Sequence, residues 1–141
     1  MSQYDTAMAG RLQEVVPRAM RMIRQEMRGQ AGKSLSVPQF RILVRLYREP
    51  MMNRDLAEYQ GVTVATMSRM VDLLVRHGLV LRHGVPSDRR KVFLSLTVNG
   101  RRFFERIRGA VRRSLASRLA RLDEAGKKRL DQGLTELEKC L

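Results

Sequence analysis

The chain has a single cysteine, Cys140, in 141 residues. That excludes an internal disulfide and fits a reducing, cytoplasmic compartment. It has only two histidines, His77 and His83, which with one distant thiol make a poor metal-binding set. No apolar run approaches the ~18 residues of a membrane span. Residues 1–30 alternate charged and apolar side chains without a continuous apolar stretch, so no secretory leader is expected. Internal repeats and low-complexity tracts are missing. The length fits one domain, 1–141, with a real but modest core. There is no nucleophile–base–acid set, no glycine loop for phosphates and no metal cluster, so neither an enzyme nor a cofactor is expected.

Acids are also scarce. Arg and Lys number 28 against 14 Asp and Glu, a formal charge of +14. Arg supplies 23 of those 28. Such an excess suits a polyanionic partner, nucleic acid or an anionic membrane face, and Arg forks onto phosphates and guanine edges better than Lys does. The bland alternative is a solvated surface from an arginine-rich proteome.

Apolar residues then set out the helices. Leu12, Val15, Val16, Ala19, Ile23 and Met27 have helical spacing, ended by Gly29 and Gly32. Pro17 predicts a kink or a late start there. Ser36-Val37-Pro38-Gln39 has the form of a capping box with proline in the first turn. Phe40, Leu43, Val44 and Tyr47 mark one face of that second helix, and Glu49-Pro50 stops it. Asn53 reads as the cap of a short helix carrying Leu56, Ala57 and Tyr59 and closed by Gly61. Thr63 caps the next. Its inner face is Met67, Met70, Val71, Leu74 and Val75; its outer face is Ala65, Thr66, Ser68, Arg69, Asp72 and Arg76. Gly78 ends it.

Leu79–Arg82 reads as one strand and Val92–Leu96 as a second. Gly84, Pro86, Ser87 and Asp88 mark the loop between them, which puts Arg89, Arg90 and Lys91 at a hairpin tip. Thr97 caps a long helix with Phe104, Ile107, Val111, Leu115 and Leu119 on one side. A last helix after Asp123 carries Leu130, Leu134, Leu137 and Leu141. The expected fold is mostly α with a small β hairpin.

Two short helices joined at Gly61 suit a helix-turn-helix. The second would enter a major groove, offering Thr63, Ala65, Thr66 and Arg69 to base edges. Alone, this pair could equally be a plain amphipathic helix with a soluble face. The basic hairpin that follows makes it a winged helix. The segments Leu56-Ala57, Thr66-Met67-Ser68-Arg69-Met70-Val71, Gly78-Leu79-Val80, Arg82, Asp88-Arg89-Arg90 and Leu96-Thr97-Val98-Asn99-Gly100 together resemble the MarR family of bacterial transcription regulators. The resemblance covers nearly the whole chain. Met51-Met52 departs from it, because the family usually has an apolar residue followed by a hydroxyl cap there. The start of the third helix is therefore open by a residue or two.

By this resemblance Asp88 and Arg90 match the family's wing motif, and Arg89 or Arg90 would reach into a minor groove. A narrow A·T-rich groove concentrates negative potential and draws arginine in. Asp88 is expected to hold Arg90 or Arg82 by a charge-assisted bond, or to act as a turn former. The candidate DNA-binding set is Ser36, Arg54, Thr63, Ala65, Thr66, Ser68, Arg69, Arg82, Ser87, Asp88, Arg89 and Arg90. Residues 36–97 would form the DNA-binding lobe. Residues 1–30 and 105–141 would form a helical region pairing two subunits on palindromic double-stranded DNA.

The resemblance further implies a regulator, most often a repressor, released by a small aromatic or anionic effector. Met8, Met20, Met22 and Met27 suit an adaptable pocket for one, or plain core filling. Relatives that sense oxidants use a cysteine near the N-terminus; this chain has none there, and Cys140 is not expected to serve. Six arginines between Arg101 and Arg113, against Glu105, follow either a DNA backbone or a solvated helix face. Phe104, Ile107 and Val111 favour the solvated face, since they turn those arginines from the core. The competing function is a non-specific architectural DNA-binding protein driven by charge alone. A membrane role for the Arg-rich helix ranks last, and no membrane partner is expected.

Overall fold

In the computed structural model, which describes residues 1–31 and 35–141, Ser2 and Asp5 open the first helix reciprocally. The Asp5 N–H donates to Ser2 Oγ at 3.1 Å and the Ser2 N–H donates to Asp5 Oδ2 at 2.6 Å. That backbone donor holds the Asp5 carboxyl below its usual range. Helix α1 then runs over Gln3–Ala31, continuous past Pro17 and Gly29. The late start expected from Pro17 and the stop expected at Gly29 are therefore corrected. One glycine costs a helix only ~1 kcal/mol, too little to end it. Gly32 lies outside the described residues.

Helix α2 (Val37–Arg48) begins at the Ser36–Gln39 capping box. Its buried face is wider than Phe40 and Leu43, because Ile42 and Leu46 are also fully enclosed while Val44 is exposed. A two-residue strand β1 (Met51–Met52) follows, then α3 (Asn53–Gln60). Met52 stands at the N-cap without a side-chain bond, and Asn53 is the first helical residue, not the cap. Helix α4 (Val64–Arg76) is capped by Thr63, whose side chain accepts from the Thr66 N–H. Strands β2 (Val80–Val85) and β3 (Asp88–Leu96) make the hairpin. Helices α5 (Val98–Leu119) and α6 (Glu124–Glu138) are capped by Thr97 and Asp123.

The sheet has order β1-β3-β2, antiparallel throughout. Pairing Met51 with Leu94 sets β1 against the root of the wing. Leu43, Leu56, Met67, Val71, Leu74, Val80, Leu94 and Ile107 form the enclosed centre, so α2, α3, α4, α5 and the sheet share one core. Phe104 stacks in a tilted fashion on Phe40 and Tyr47, with ring centroids 5.6 and 4.7 Å away. Helix α1 packs along α5, where Ser114 Oγ donates to Glu26 Oε2 at 3.0 Å.

The outer helices bury little. Tyr4, Met8, Leu12, Val15, Val16 and Met20 of α1 are exposed, as are Leu119, Leu122, Leu130 and Leu134. Helix α6 buries no residue at all. Among the described residues no helix is long and apolar enough to cross a membrane.

Candidate nucleic-acid interface

A tight turn sets the angle between α3 and α4. Gly61 has φ 66°, the left-handed region that glycine enters without a Cβ clash, and its N–H donates to the Glu58 carbonyl at 3.0 Å. The Val62 N–H donates to the Ala57 carbonyl. Gln60 Nε2 donates to the Pro38 carbonyl at 3.1 Å and ties this turn to the start of α2.

The first turns of α4 face outward. Thr63, Val64, Ala65, Thr66 and Arg69 are exposed. The Thr63 hydroxyl accepts from the Thr66 N–H at 3.1 Å and donates to Thr66 Oγ1 at 2.9 Å. The Thr66 hydroxyl proton is left to point away, available to an acceptor on a ligand. Ser68 behaves differently. Its hydroxyl accepts from Asn53 Nδ2 at 3.0 Å, so its side chain joins α3 to α4.

The wing is longer than the residue pattern suggests. Gly84 lies in β2 and Asp88–Lys91 lie in β3, so only Pro86 and Ser87 stand between the strands. Arg89, Arg90 and Lys91 belong to β3 but bulge out of its ladder beside the turn, because Val85 pairs with Asp88 and Gly84 with Val92, so they stand close to the hairpin tip. A run of charged side chains carries no apolar alternation to reveal a strand. Asp88 Oδ1 accepts from the Arg90 backbone N–H at 3.0 Å. It thus shapes the start of β3 rather than gripping a guanidinium.

The Arg82 guanidinium is held instead by α4. It lies 2.6 Å from Asp72 Oδ1 and donates to the Ser68 carbonyl at 3.0 Å. This half-exposed pair fixes the wing strand to the reading helix by geometry. Its energy is small, since solvent screens it.

These elements enclose an open cleft of about 490 Å³ lined by Met52, Asn53, Arg54, Val64, Ser68, Arg82, Asp88, Arg90, Lys91 and Val92. Four cations and one acid line it, which makes it attractive to phosphate. Of the twelve sequence candidates, Arg54, Ser68, Arg82, Asp88 and Arg90 meet in the cleft. Thr63, Ala65, Thr66 and Arg69 lie on the exposed start of α4, and Ser87 and Arg89 are exposed on the wing. Ser36 stands apart, at the start of α2, beside Arg24, Met27 and Phe40. Lys91 and Asn53 complete the cleft and were not among the candidates. The basic run at Arg89-Arg90-Lys91 was the available signal for Lys91.

The wing root is locked to α5. Thr97 Oγ1 donates to the Gly78 carbonyl at 2.6 Å, and the Thr97 N–H donates to the Leu79 carbonyl at 3.1 Å. Gly100 packs so closely here that a Cβ would stand 2.0 Å from the Leu79 oxygen.

A second cavity, about 580 Å³, opens between α1, α2 and α5 beside Tyr59. Its lining includes Met20, Ile23, Met27, Phe40, Phe104 and Val111, with Arg24, Arg41 and Arg108. Met20 and Met27 reach it, whereas Met8 and Met22 do not line it.

A helix-turn-helix whose second helix is braced by a basic β hairpin is a winged helix-turn-helix. Residues 35–92 match the family model described as the MarR family. The chain is 35% identical over 74 residues to the HTH-type transcriptional repressor YetL of Bacillus subtilis, a match spanning 50% of this chain and 44% of that protein. It therefore spans less than half the length of that relative. It is 28% identical over 108 residues to the HTH-type transcriptional regulator YfiV of the same organism, spanning 76% of this chain and 68% of that one. The crystal structure of RV1404 from Mycobacterium tuberculosis superposes with a TM-score of 0.81 at 26% identity, covering 99% of this chain and 94% of that chain. The winged-helix segment, residues 35–92, is thus similar to the MarR family, whose members are transcriptional regulators and not enzymes.

Proposed function

We propose that this protein is a homodimeric, sequence-specific transcriptional repressor that reads a palindromic operator in double-stranded DNA. The observation that carries the reading is the basic cleft that Val64 and Ser68 of α4 line together with Arg54, Arg82, Arg90 and Lys91. Thr66 and Arg69 suit base edges in a major groove. Arg54, Arg89, Arg90 and Lys91 suit phosphates and a narrow minor groove. Ser68 and Arg82 line the cleft and tie α4 to α3 and to the wing, and Asp88 shapes the strand that carries Arg90.

The exposed apolar residues of α1, α6 and the end of α5 support a two-fold dimer. A palindrome then follows from the symmetry of the protein. The cavity beside Tyr59 suits a small aromatic anion, with aromatic and aliphatic walls for a ring and Arg24, Arg41 and Arg108 for its charge. Filling it would bias the packing of α1 and α2 on α5 and so the spacing of the two reading lobes. The cytoplasm is the compartment that suits such a DNA-binding regulator.

Capture of genomic fragments on the purified protein, followed by competition with bulk DNA, tests the reading. One palindrome preferred by about a thousandfold or more supports a sequence-specific regulator. Equal retention of all fragments supports a non-specific architectural protein, which the +14 charge alone would favour.

A further inference from the structure

The charge of this chain is not concentrated where DNA would be read. Residues 36–97 hold ten Arg and Lys against five acids. Helix α5 alone holds seven arginines against Glu105, in 22 residues. All seven are exposed. Among the described residues none of them forms a salt bridge. Glu105 is itself occupied, accepting from the Tyr47 hydroxyl at 3.1 Å. Arg101 and Arg108 stack on the Tyr47 ring.

The arginines on the other side of the helix form a row. Asn99, Arg102, Arg106 and Arg113 fall on one face, since their spacings of three, four and seven follow the helical repeat. The row begins over a shallow depression of about 330 Å³ lined by Leu79, Asn99, Arg102, Phe103 and Arg106. Its apolar members are Leu79, buried, and Phe103, half-buried, with the Arg106 guanidinium 5.4 Å from the ring centre. The apolar residues available for pairing two subunits lie elsewhere, on α1, α6 and the end of α5.

The row also stands away from the reading surface. The hairpin pairs Val80 with Leu96 at its root and Val85 with Asp88 at its end, five steps of β2 or about 17 Å at the usual rise. Helix α5 starts beyond that root. The depression at the start of the row and the basic cleft share no lining residue.

We propose that Asn99, Arg102, Arg106 and Arg113 form a second phosphate-backbone surface for a separate DNA duplex, so that one dimer bridges two duplex segments. This rests on the reading of the wing and α4 as the primary DNA site. Arginine supplies every cation of the row, and arginine forks onto phosphate. A lipid surface would need several apolar side chains to insert beside the charges, and this face offers only Val98 and the half-buried Phe103. A single strand would need open aromatic platforms for its bases, whereas Phe103 is covered by Arg106.

The test uses full-length protein, a bead-immobilised random-sequence duplex and a free fluorescent duplex of unrelated sequence. The parent protein should carry the free duplex onto the beads. If each encounter neutralises three phosphates, capture should fall about 40-fold across a fourfold rise in salt. A triple variant, R102Q/R106Q/R113Q, should bind a single duplex within about twofold of the parent, because its wing and α4 are intact, yet capture the second at least about tenfold less. Sedimentation of the variant should match the parent. The proposal is overturned if the variant bridges as well as the parent, if it dissociates into monomers, or if single-stranded DNA or RNA is captured in preference to duplex. A parent that binds one duplex and never a second also overturns it and leaves the proposed function standing. A parent that binds no duplex at all removes the proposed function itself.

Discussion

Gly100→Ala and Gly109→Ala are the same chemical change on the same helix, and they should have opposite signs. At Gly100 the new methyl would stand 2.0 Å from the Leu79 carbonyl oxygen and 2.8 Å from its carbon. Both are backbone atoms at the junction of α4, β2 and α5, so no side chain can swing aside. Overpacking of a rigid site costs ~1–3 kcal/mol, and a backbone obstacle belongs at the upper end. Replacing glycine in a helix returns about 1 kcal/mol, which leaves a net loss of about 2 kcal/mol. At Gly109 the new methyl meets only Arg113 Nη1, at an ordinary 3.5 Å. That variant should gain about 0.5–1 kcal/mol from reduced freedom of the unfolded chain. Urea unfolding at one fixed protein concentration measures both, since a dimer's stability depends on concentration. The expected gap is about 3 kcal/mol between the two variants. Equal stability of the two would refute the close packing of α5 on the wing root.

Lys91→Ala removes a cation from the cleft and should weaken binding to operator and random duplex alike, lowering the salt slope by about 1; a loss confined to the operator would make Lys91 a reader of bases. Leu134→Glu puts a charge into the exposed apolar stripe of α6 and should shift sedimentation at micromolar concentration from twice the chain mass to the chain mass. A variant that stays dimeric would exclude α6 from the contact. Cys140→Ser should leave DNA binding and its response to peroxide unchanged, because Cys140 is the sole cysteine and lies outside the cleft and both helices of the reading unit. Release of the parent but not the variant by peroxide would overturn that.

The helices were legible because their punctuation is local. Ser36, Thr63, Thr97 and Asp123 are caps in the residue pattern and caps in the structure, each accepting a backbone N–H three residues on. Periodicity also marked Met67, Val71 and Leu74 as core. What stayed hidden depends on partners distant in sequence or on very short elements. Strand β1 has two residues, too few for any period, and exists because β3 offers Leu94 and Phe93 for pairing. The outer end of the wing shows no strand period because Arg89, Arg90 and Lys91 bulge out of the ladder between the Val85–Asp88 and Gly84–Val92 pairs. Asp88 was half legible: its tendency to form turns is what the structure uses, through the Arg90 N–H, while Arg82 found Asp72 on another element. No spacing rule pairs residues ten apart on a helix and a strand. The exposed stripe of α1 was visible as helical periodicity, but periodicity alone does not say whether a stripe faces its own core or a second subunit.

The division of labour between α4 and the wing is the centre of the account, and one measurement tests it directly. Arg69→Ala and Arg90→Ala are titrated against the captured operator and against a scrambled duplex over a salt series. Arg69 is exposed on the second turn of α4, where base edges are in reach, so its loss should cost ~1–3 kcal/mol on the operator and much less on the scrambled duplex. Arg90 lies in the basic cleft, so its loss should weaken both duplexes by a similar factor, an effect that shrinks as salt rises. If Arg90→Ala alters base preference while Arg69→Ala leaves it intact, reader and clamp are reversed. If neither variant changes binding, the winged helix is not the DNA-binding element of this protein.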